Sequence, residues 1–122
     1  MDYYQIWCDL KDGVRDLDFC ANVGRYLGHL REKELIEGHR LTRRKLGLAA
    51  DGLGEFHIVV ETRDMAQLEQ AFQSVATRAP EIEALHGAVY SAVRNLKFAL
   101  YRDFPDSFRH TGGDGSRAET AP

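Results

Sequence analysis

The sequence is poor in cysteine and has no long apolar run, and each scarcity excludes a class of protein. Cys8 and Cys20 are its two cysteines. Two are too few for a disulfide framework, so a cytoplasmic location is expected. No apolar stretch approaches the roughly 18 residues that a membrane-spanning helix needs, so we expect no membrane partner. The opening segment MDYYQIWCDLKDG lacks the basic region that begins a secretory signal.

Positive charge is not in surplus either. Sixteen Lys and Arg stand against nineteen Asp and Glu, which gives a formal charge of −3 over 122 residues. This balance argues against a dedicated binder of nucleic acid or anionic membranes. An apolar share of 43% and a charged share of 29% are typical of a globular protein. The length suits one domain with one hydrophobic core.

Motifs for cofactors, metals and nucleophilic catalysis are also missing. Gly52 and Gly54 precede a predicted strand rather than opening a helix, which is the wrong context for a dinucleotide fingerprint. Glu83 and His86 have the i, i+3 spacing of di-iron bundles, but such a site needs that motif on two helices and two further carboxylates. We therefore predict no cofactor and no metal. Both cysteines are predicted to be buried in the core as small apolar residues.

Alternating apolar residues predict strands at residues 2–10, 55–62 and 95–104, and a more basic, weaker strand at 39–47. In the first strand Tyr4, Ile6, Cys8 and Leu10 share the face expected to be buried. Residues of the opposite parity would then lie on the other face of the sheet.

Helical periodicity predicts three helices. The first, at about 14–33, carries the apolar stripe Leu17, Cys20, Val23, Leu27 and Leu30. Gly24 and Gly28 lie four residues apart in it, which would let a neighbour approach closely. Asp64 and Gln67 form a capping-box pattern ahead of the second helix. Pro80 suits the first turn of a third helix that runs to about Val93.

The resulting order, βαββα(α)β, predicts an α+β ferredoxin-like domain over residues 1–104, with a four-stranded antiparallel sheet and helices on one face. Residues 105–122 are predicted to form a flexible tail. The other sheet face, called the open face below, would expose several aromatic and apolar side chains. These are Tyr3, Trp7, Val59, Ala99 and Tyr101. A second copy of the chain is the simplest cover for such a face.

This element order, the split second helical segment and the mixed aromatic and polar open face resemble the dimeric α/β-barrel superfamily. That group includes stress-responsive barrel proteins and antibiotic-biosynthesis-type monooxygenases. The resemblance covers residues 2–104. It implies a homodimer in which two sheets pack face to face around a lumen that can hold a small molecule.

His57 is the leading candidate for chemistry, because it lies on the open-face parity of the clearest strand. Trp7 and Tyr101 on other strands could approach it. His57 is therefore either a proton acceptor or ligand contact in the lumen, or a hydrogen-bonded residue in an interface. The predicted ligand-binding residues are Tyr3, Trp7, Arg44, His57 and Tyr101. His86 and Tyr90, four apart on the third helix, are expected to contact each other.

One basic cluster, Arg40, Arg43, Arg44 and Lys45, falls on the second predicted strand. Arg40 and Arg44 would share the open face if Leu41 points to the helices. They would then form a clamp for a carboxylate or phosphate. Alternatively, this is a solvated edge strand charged against aggregation.

Three functions are compatible with this sequence. The first is a homodimeric barrel that binds a small, partly apolar molecule between its sheets. The second is a cofactor-independent monooxygenase or isomerase, with His57 as general base and Tyr101 or Arg44 stabilising an oxyanion. The third is an RNA-binding module of RRM topology. It ranks last because GEFHIVVE lacks the basic residue and second aromatic of the RNP1 pattern, so no nucleic-acid partner is expected.

Overall fold

The computed structural model of the chain describes residues 1–105. It contains four strands and three helices in the predicted order. They are β1 (Asp2–Leu10), α1 (Asp16–Glu32), β2 (Gly38–Arg43), β3 (Phe56–Thr62), α2 (Met65–Ala76), α3 (Pro80–Tyr90) and β4 (Val93–Arg102). The predicted tail beyond residue 105 lies outside the described residues.

The strands form one antiparallel sheet in the order β2-β3-β1-β4. β1 is therefore a central strand, paired with β3 on one side and β4 on the other, while β2 and β4 are the edges. This arrangement confirms the predicted α+β, ferredoxin-like fold.

The core lies between one face of the sheet and the helices. Cys8, Phe56, Ile58 and Val60 are buried on that face, as their alternation in sequence predicts. Phe19 of α1 is fully buried, and its ring lies 5.2 Å from that of Phe56 in an edge-on arrangement. Burial of one such side chain contributes about 2–3 kcal/mol.

The buried face of α1 differs from the predicted stripe at its beginning. Val23, Leu27 and Leu30 are buried as expected, but Leu17 is 79% exposed and Cys20 is also exposed. Phe19 takes their place in the core. The helix begins at Asp16, so Leu17 lies in its first turn and faces solvent. A stripe stepping back four residues from Val23 reaches Phe19.

The two helical glycines of α1 make no close contact within the chain. A Cβ atom added to Gly24 or Gly28 would meet nothing within 4 Å. The prediction that they let a neighbouring element approach closely is therefore wrong for the described residues.

The second helix begins as predicted. The Asp64 carboxylate accepts a hydrogen bond from the Gln67 backbone N–H at 2.9 Å. The Gln67 side chain is buried; it accepts from the Arg63 N–H and donates to the carbonyl of Glu34 and to Glu37. It thereby ties α2 to the segment between α1 and β2.

The ends of α3 and β2 differ most from the predicted ones. α3 ends at Tyr90, and Val93 instead begins β4 with its side chain buried. β2 ends at Arg43, because the chain turns at Leu46 and Gly47, where φ is positive. The predicted strand at 39–47 is thus too long.

A bulge between Trp7 and Asp9 bends the pairing of β1 with β4. The Asp9 carboxylate holds this end of the sheet together, accepting hydrogen bonds from the Asn95 amide at 3.0 Å and the Glu55 N–H at 2.9 Å. These bonds lower the pKa of Asp9, with the Asn95 bond the largest cause. Gly54 packs directly on β1, where an added Cβ would lie 2.5 Å from the Cys8 carbonyl.

Candidate functional site

The open face has the composition that the strand alternation predicts. Facing pairs follow from the register: Trp7 with His57, Tyr3 with Tyr101, Gln5 with Val59 and Ala99, Trp7 with Lys97, and Arg40 with Val59. The helices pack on the other face, so within the described residues no helix covers these side chains.

Trp7 and His57 form the best-defined contact on this face. Their rings are stacked, with centroids 4.4 Å apart and planes 4° apart. The His57 Nε2 lies 2.9 Å from the Gln5 Oε1. Because that oxygen only accepts, Nε2 carries the proton and Nδ1 is the basic nitrogen. Burial lowers the pKa of His57, so its imidazole is neutral at pH 7.

Tyr3 and Tyr101 lie at the opposite end of the open face. The Tyr3 hydroxyl donates to Asp103 at 2.7 Å, and this hydrogen bond, with burial, raises the pKa of Tyr3. Tyr3 pairs with Glu61, four residues along β3 from His57, which is about 13 Å at strand spacing. Within one chain the structure therefore brings Trp7 to His57 but does not bring Tyr101 to it.

The basic cluster is divided between the two faces. Arg40 lies on the open face, opposite Val59. Arg43 lies on the helix side, where it bonds Glu55 at 2.7 Å and Asp16 at 3.1 Å and covers the Phe56 ring. Arg44 follows the end of β2, and its charge contributes to the lowered pKa of Asp9. Arg43 is thus a structural residue rather than part of a ligand clamp.

A polar hollow of about 260 Å³ occupies the open face at its Tyr3 end. Its walls are Tyr3, Gln5, Arg40, Val59 and Glu61. Arg40 and Glu61 place opposite charges in it, so the hollow suits polar contacts better than an apolar ligand.

An apolar cavity of about 250 Å³ lies on the other side of the sheet, beneath the helices. Tyr4, Ile6 and Phe98 form part of its floor on β1 and β4, while Val89 of α3 and Phe72 of α2 face them. Among the described residues, no Asp, Glu, Lys or Arg lines this cavity. The sequence gives no signal of this cavity, because a gap between two packed layers has no signature in periodicity.

Three polar aromatic side chains, Tyr26, His86 and Tyr90, form one wall of the cavity. The His86 ring centroid lies 5.5 Å from that of Tyr26 and 5.5 Å from that of Tyr90. The second contact confirms the expected pairing of His86 with Tyr90. Burial raises the pKa of Tyr26 to about 12, so its hydroxyl keeps its proton at neutral pH.

Cys8 also lines the cavity, and burial raises the pKa of its thiol to about 11. A thiol with so high a pKa is a poor nucleophile at neutral pH. This agrees with its predicted place in the core.

Across residues 1–105, no group of three His, Cys, Asp or Glu side chains comes together in a way that could hold a metal ion. In the same part of the chain, no helix is both long and apolar enough to cross a membrane.

Residues 1–114 match the profile of a family of unknown function, DUF6614. The chain belongs to this family. No curated protein gives a significant match to this DUF6614 member.

Solved structures with the same fold include three from different organisms. An Arabidopsis thaliana protein, At3g17210, is 12% identical, with a TM-score of 0.66 over 88% of this chain and 99% of that one. SnoaB, a cofactor-independent oxygenase from Streptomyces nogalater, is 11% identical, with a TM-score of 0.56 over 86% and 95%. A dimeric ferredoxin-like protein of unknown function from Jannaschia sp. CCS1 is 13% identical, with a TM-score of 0.61 over 84% and 98%.

These similarities confirm the fold that the sequence predicts for the DUF6614 protein, and its resemblance to ferredoxin-like proteins that form dimers. At such low identity they extend to the fold alone. The chemistry of the site must be argued from this chain's own residues.

Proposed function

We propose that this DUF6614 protein is a homodimer whose open faces pack against each other, and that each protomer binds a small apolar molecule in the cavity beneath its helices. The open face supports the first part. It carries Trp7, Val59 and Ala99 without a covering layer, and Tyr101 on it is 63% exposed. Structural neighbours described as dimeric share the fold.

The apolar cavity is the observation that carries the second part. Apolar side chains around this cavity offer few hydrogen bonds to the water inside it, so an apolar molecule that displaces this water gains affinity. The cavity volume of about 250 Å³ exceeds the roughly 150 Å³ of an engineered cavity that binds benzene. A ligand there would lie under the helices rather than between the sheets, the location that the sequence analysis favoured.

The lumen around Trp7 and His57 is the alternative location for the ligand. The enzymatic hypothesis places His57 there as base with Tyr101 or Arg44 stabilising an oxyanion, but about 13 Å separates His57 from Tyr101 along the sheet, and Arg44 lies just beyond the end of β2. A joint role of His57 and Tyr101 would need residues from both protomers, and among the described residues no hydrogen bond joins Arg44 to His57. We therefore propose binding rather than catalysis as the function.

A cavity-filling variant tests the location. Val89→Phe adds a ring to a side chain that lines the cavity. Val75→Phe is the matched control, since Val75 is also a half-buried helical valine packed on the core but does not line the cavity. Overpacking costs about 1–3 kcal/mol at either site, so melting temperatures are measured alongside.

Naphthalene is a suitable probe because it is apolar and uncharged, and its own fluorescence reports its binding. The dye 1-anilinonaphthalene-8-sulfonate is not suitable, because it is charged. We expect Val89→Phe to weaken naphthalene binding at least ten-fold and Val75→Phe to leave it nearly unchanged. Equal binding by both variants would contradict the cavity as the site and would direct attention to the open face.

A further inference from the structure

We propose that the polar hollow on the open face binds a small zwitterion, an α-amino acid, with Arg40 holding its carboxylate and Glu61 its ammonium group. This hollow lies on the opposite side of the sheet from the apolar cavity, so the site is separate from the one proposed above. The argument from lost hydration, given below, rests on the proposed homodimer, whereas the geometry does not.

Arg40 and Glu61 are oppositely charged residues that line the same hollow without pairing. Arg40 lies opposite Val59, and Glu61 is two residues further along β3. The two are therefore diagonal neighbours, with Cα atoms about 7–8 Å apart. Within residues 1–105, neither side chain forms an ion pair. Arg43 and Arg63, by contrast, each bond a carboxylate. The hollow thus offers a ligand charges of both signs.

The residues around the hollow supply hydrogen-bonding groups for both ends of an α-amino acid. The planar guanidinium of Arg40 suits a carboxylate, which it can bond at two nitrogens. Gln5 also lines the hollow. Its Oε1 accepts from His57, so its side-chain amide keeps two N–H donors for a further acceptor. The Glu61 carboxylate accepts only, as an ammonium group requires.

The size and the remaining walls of the hollow favour an amino acid with a small apolar side chain. Its volume is about 260 Å³, while roughly 150 Å³ is enough for benzene. Val59 gives it an apolar wall. The Tyr3 hydroxyl donates to Asp103 at 2.7 Å, which leaves the Tyr3 ring for apolar contact. Leucine therefore serves as the probe.

Coverage of the open face by a second copy would make an unpaired charge in the hollow costly. Water would be removed from Arg40 and Glu61, and a charge that loses hydration without a partner is destabilising. A zwitterion compensates both residues at once, whereas a carboxylate alone leaves Glu61 unpaired and an amine alone leaves Arg40 unpaired. Tyr3 pairs with Glu61 one residue from the end of β3. The hollow therefore lies at the end of the sheet, where a ligand can enter between two packed faces.

The test compares leucine with two molecules that each lack one of its charged groups. 4-Methylpentanoate has no amino group, and 3-methylbutylamine has no carboxylate. Binding to the full chain is measured at pH 7 by ligand-observed NMR. The variants are Arg40→Gln and Glu61→Gln. Their matched controls are Arg31→Gln on α1 and Glu69→Gln on α2, which are exposed and do not line the hollow. Melting temperature and solution mass are recorded for every variant.

We expect the unaltered protein to bind leucine at least ten-fold more tightly than either molecule with one charge. Arg40→Gln and Glu61→Gln should each weaken leucine binding at least ten-fold, because each removes the partner of one ligand charge. Glu61→Gln should not weaken the binding of 4-methylpentanoate, which has no ammonium group. The control variants should bind leucine as the unaltered protein does.

Three results would overturn the inference: equal affinity for the three molecules, leucine binding that neither Arg40→Gln nor Glu61→Gln weakens, and no leucine binding at all. If leucine does not bind and both variants shift the mass toward one chain, Arg40 instead pairs with Glu61 of the partner subunit. Naphthalene binding and the mass of the unaltered protein test the proposed function, so its failure is distinguishable from the failure of this inference.

Discussion

At the scale of single residues, His57 on the open face makes the stability of the fold depend on pH. Burial lowers its pKa below the ordinary 6.5, and burial also lowers that of His39. The unfolded chain therefore binds protons at these histidines before the folded chain does, so stability is lost as pH falls below about 6.5. We expect the melting temperature to decrease between pH 7.5 and 5.5, and to decrease less in the double variant His57→Gln/His39→Gln. The two single variants show how much of the pH dependence comes from each histidine. If the double variant kept the full pH dependence of the melting temperature, neither histidine would be its cause.

The carboxylates Asp2 and Asp9 act in a different range of pH. The Arg102 hydrogen bond lowers the pKa of Asp2, and the Asn95 hydrogen bond lowers that of Asp9. Their stabilising contribution is present above the ordinary pKa near 3.8 and is lost as pH falls below it. The loss of stability caused by the histidines therefore occurs at a higher pH than the loss caused by these two carboxylates.

At the scale of elements, replacing a glycine by alanine should raise the melting temperature in α1 but lower it just before β3. Gly24 and Gly28 have open space where a Cβ would be, so Gly24→Ala and Gly28→Ala should each stabilise the protein by about 1 kcal/mol through helix propensity. That corresponds to a rise of about 4 °C in melting temperature. Gly54→Ala places a Cβ against the Cys8 backbone and should lower it. Scanning calorimetry measures all three; a lower melting temperature for both α1 variants would mean that something packs against that helix face.

The elements also show what the sequence can and cannot predict. The alternation in Phe56, Ile58 and Val60 assigns the faces of β3 correctly, because a strand has a period of two. The first turn of α1 was assigned to the wrong face, because Leu17 and Phe19 are both apolar and periodicity alone does not choose between them. The pairing of Trp7 with His57 follows from strand alternation and register, but the cavity beside Tyr26 and His86 depends on how far apart the layers pack.

At the scale of the whole molecule, the account depends on a second copy covering the open face. Val59 lies at the centre of that face, between Gln5 and Arg40. Val59→Lys would place a second positive charge opposite Arg40 in the interface and should shift the protein toward a monomer. Glu69→Gln, on the exposed surface of α2, is the control and should leave the mass unchanged.

The most direct measurement is therefore the solution mass of the unaltered chain by light scattering at low micromolar concentration. The account predicts about twice 13.8 kDa, with Trp7 shielded from acrylamide quenching. A mass of one chain, with Trp7 freely quenched, would contradict the homodimer and leave the open face available to a different partner.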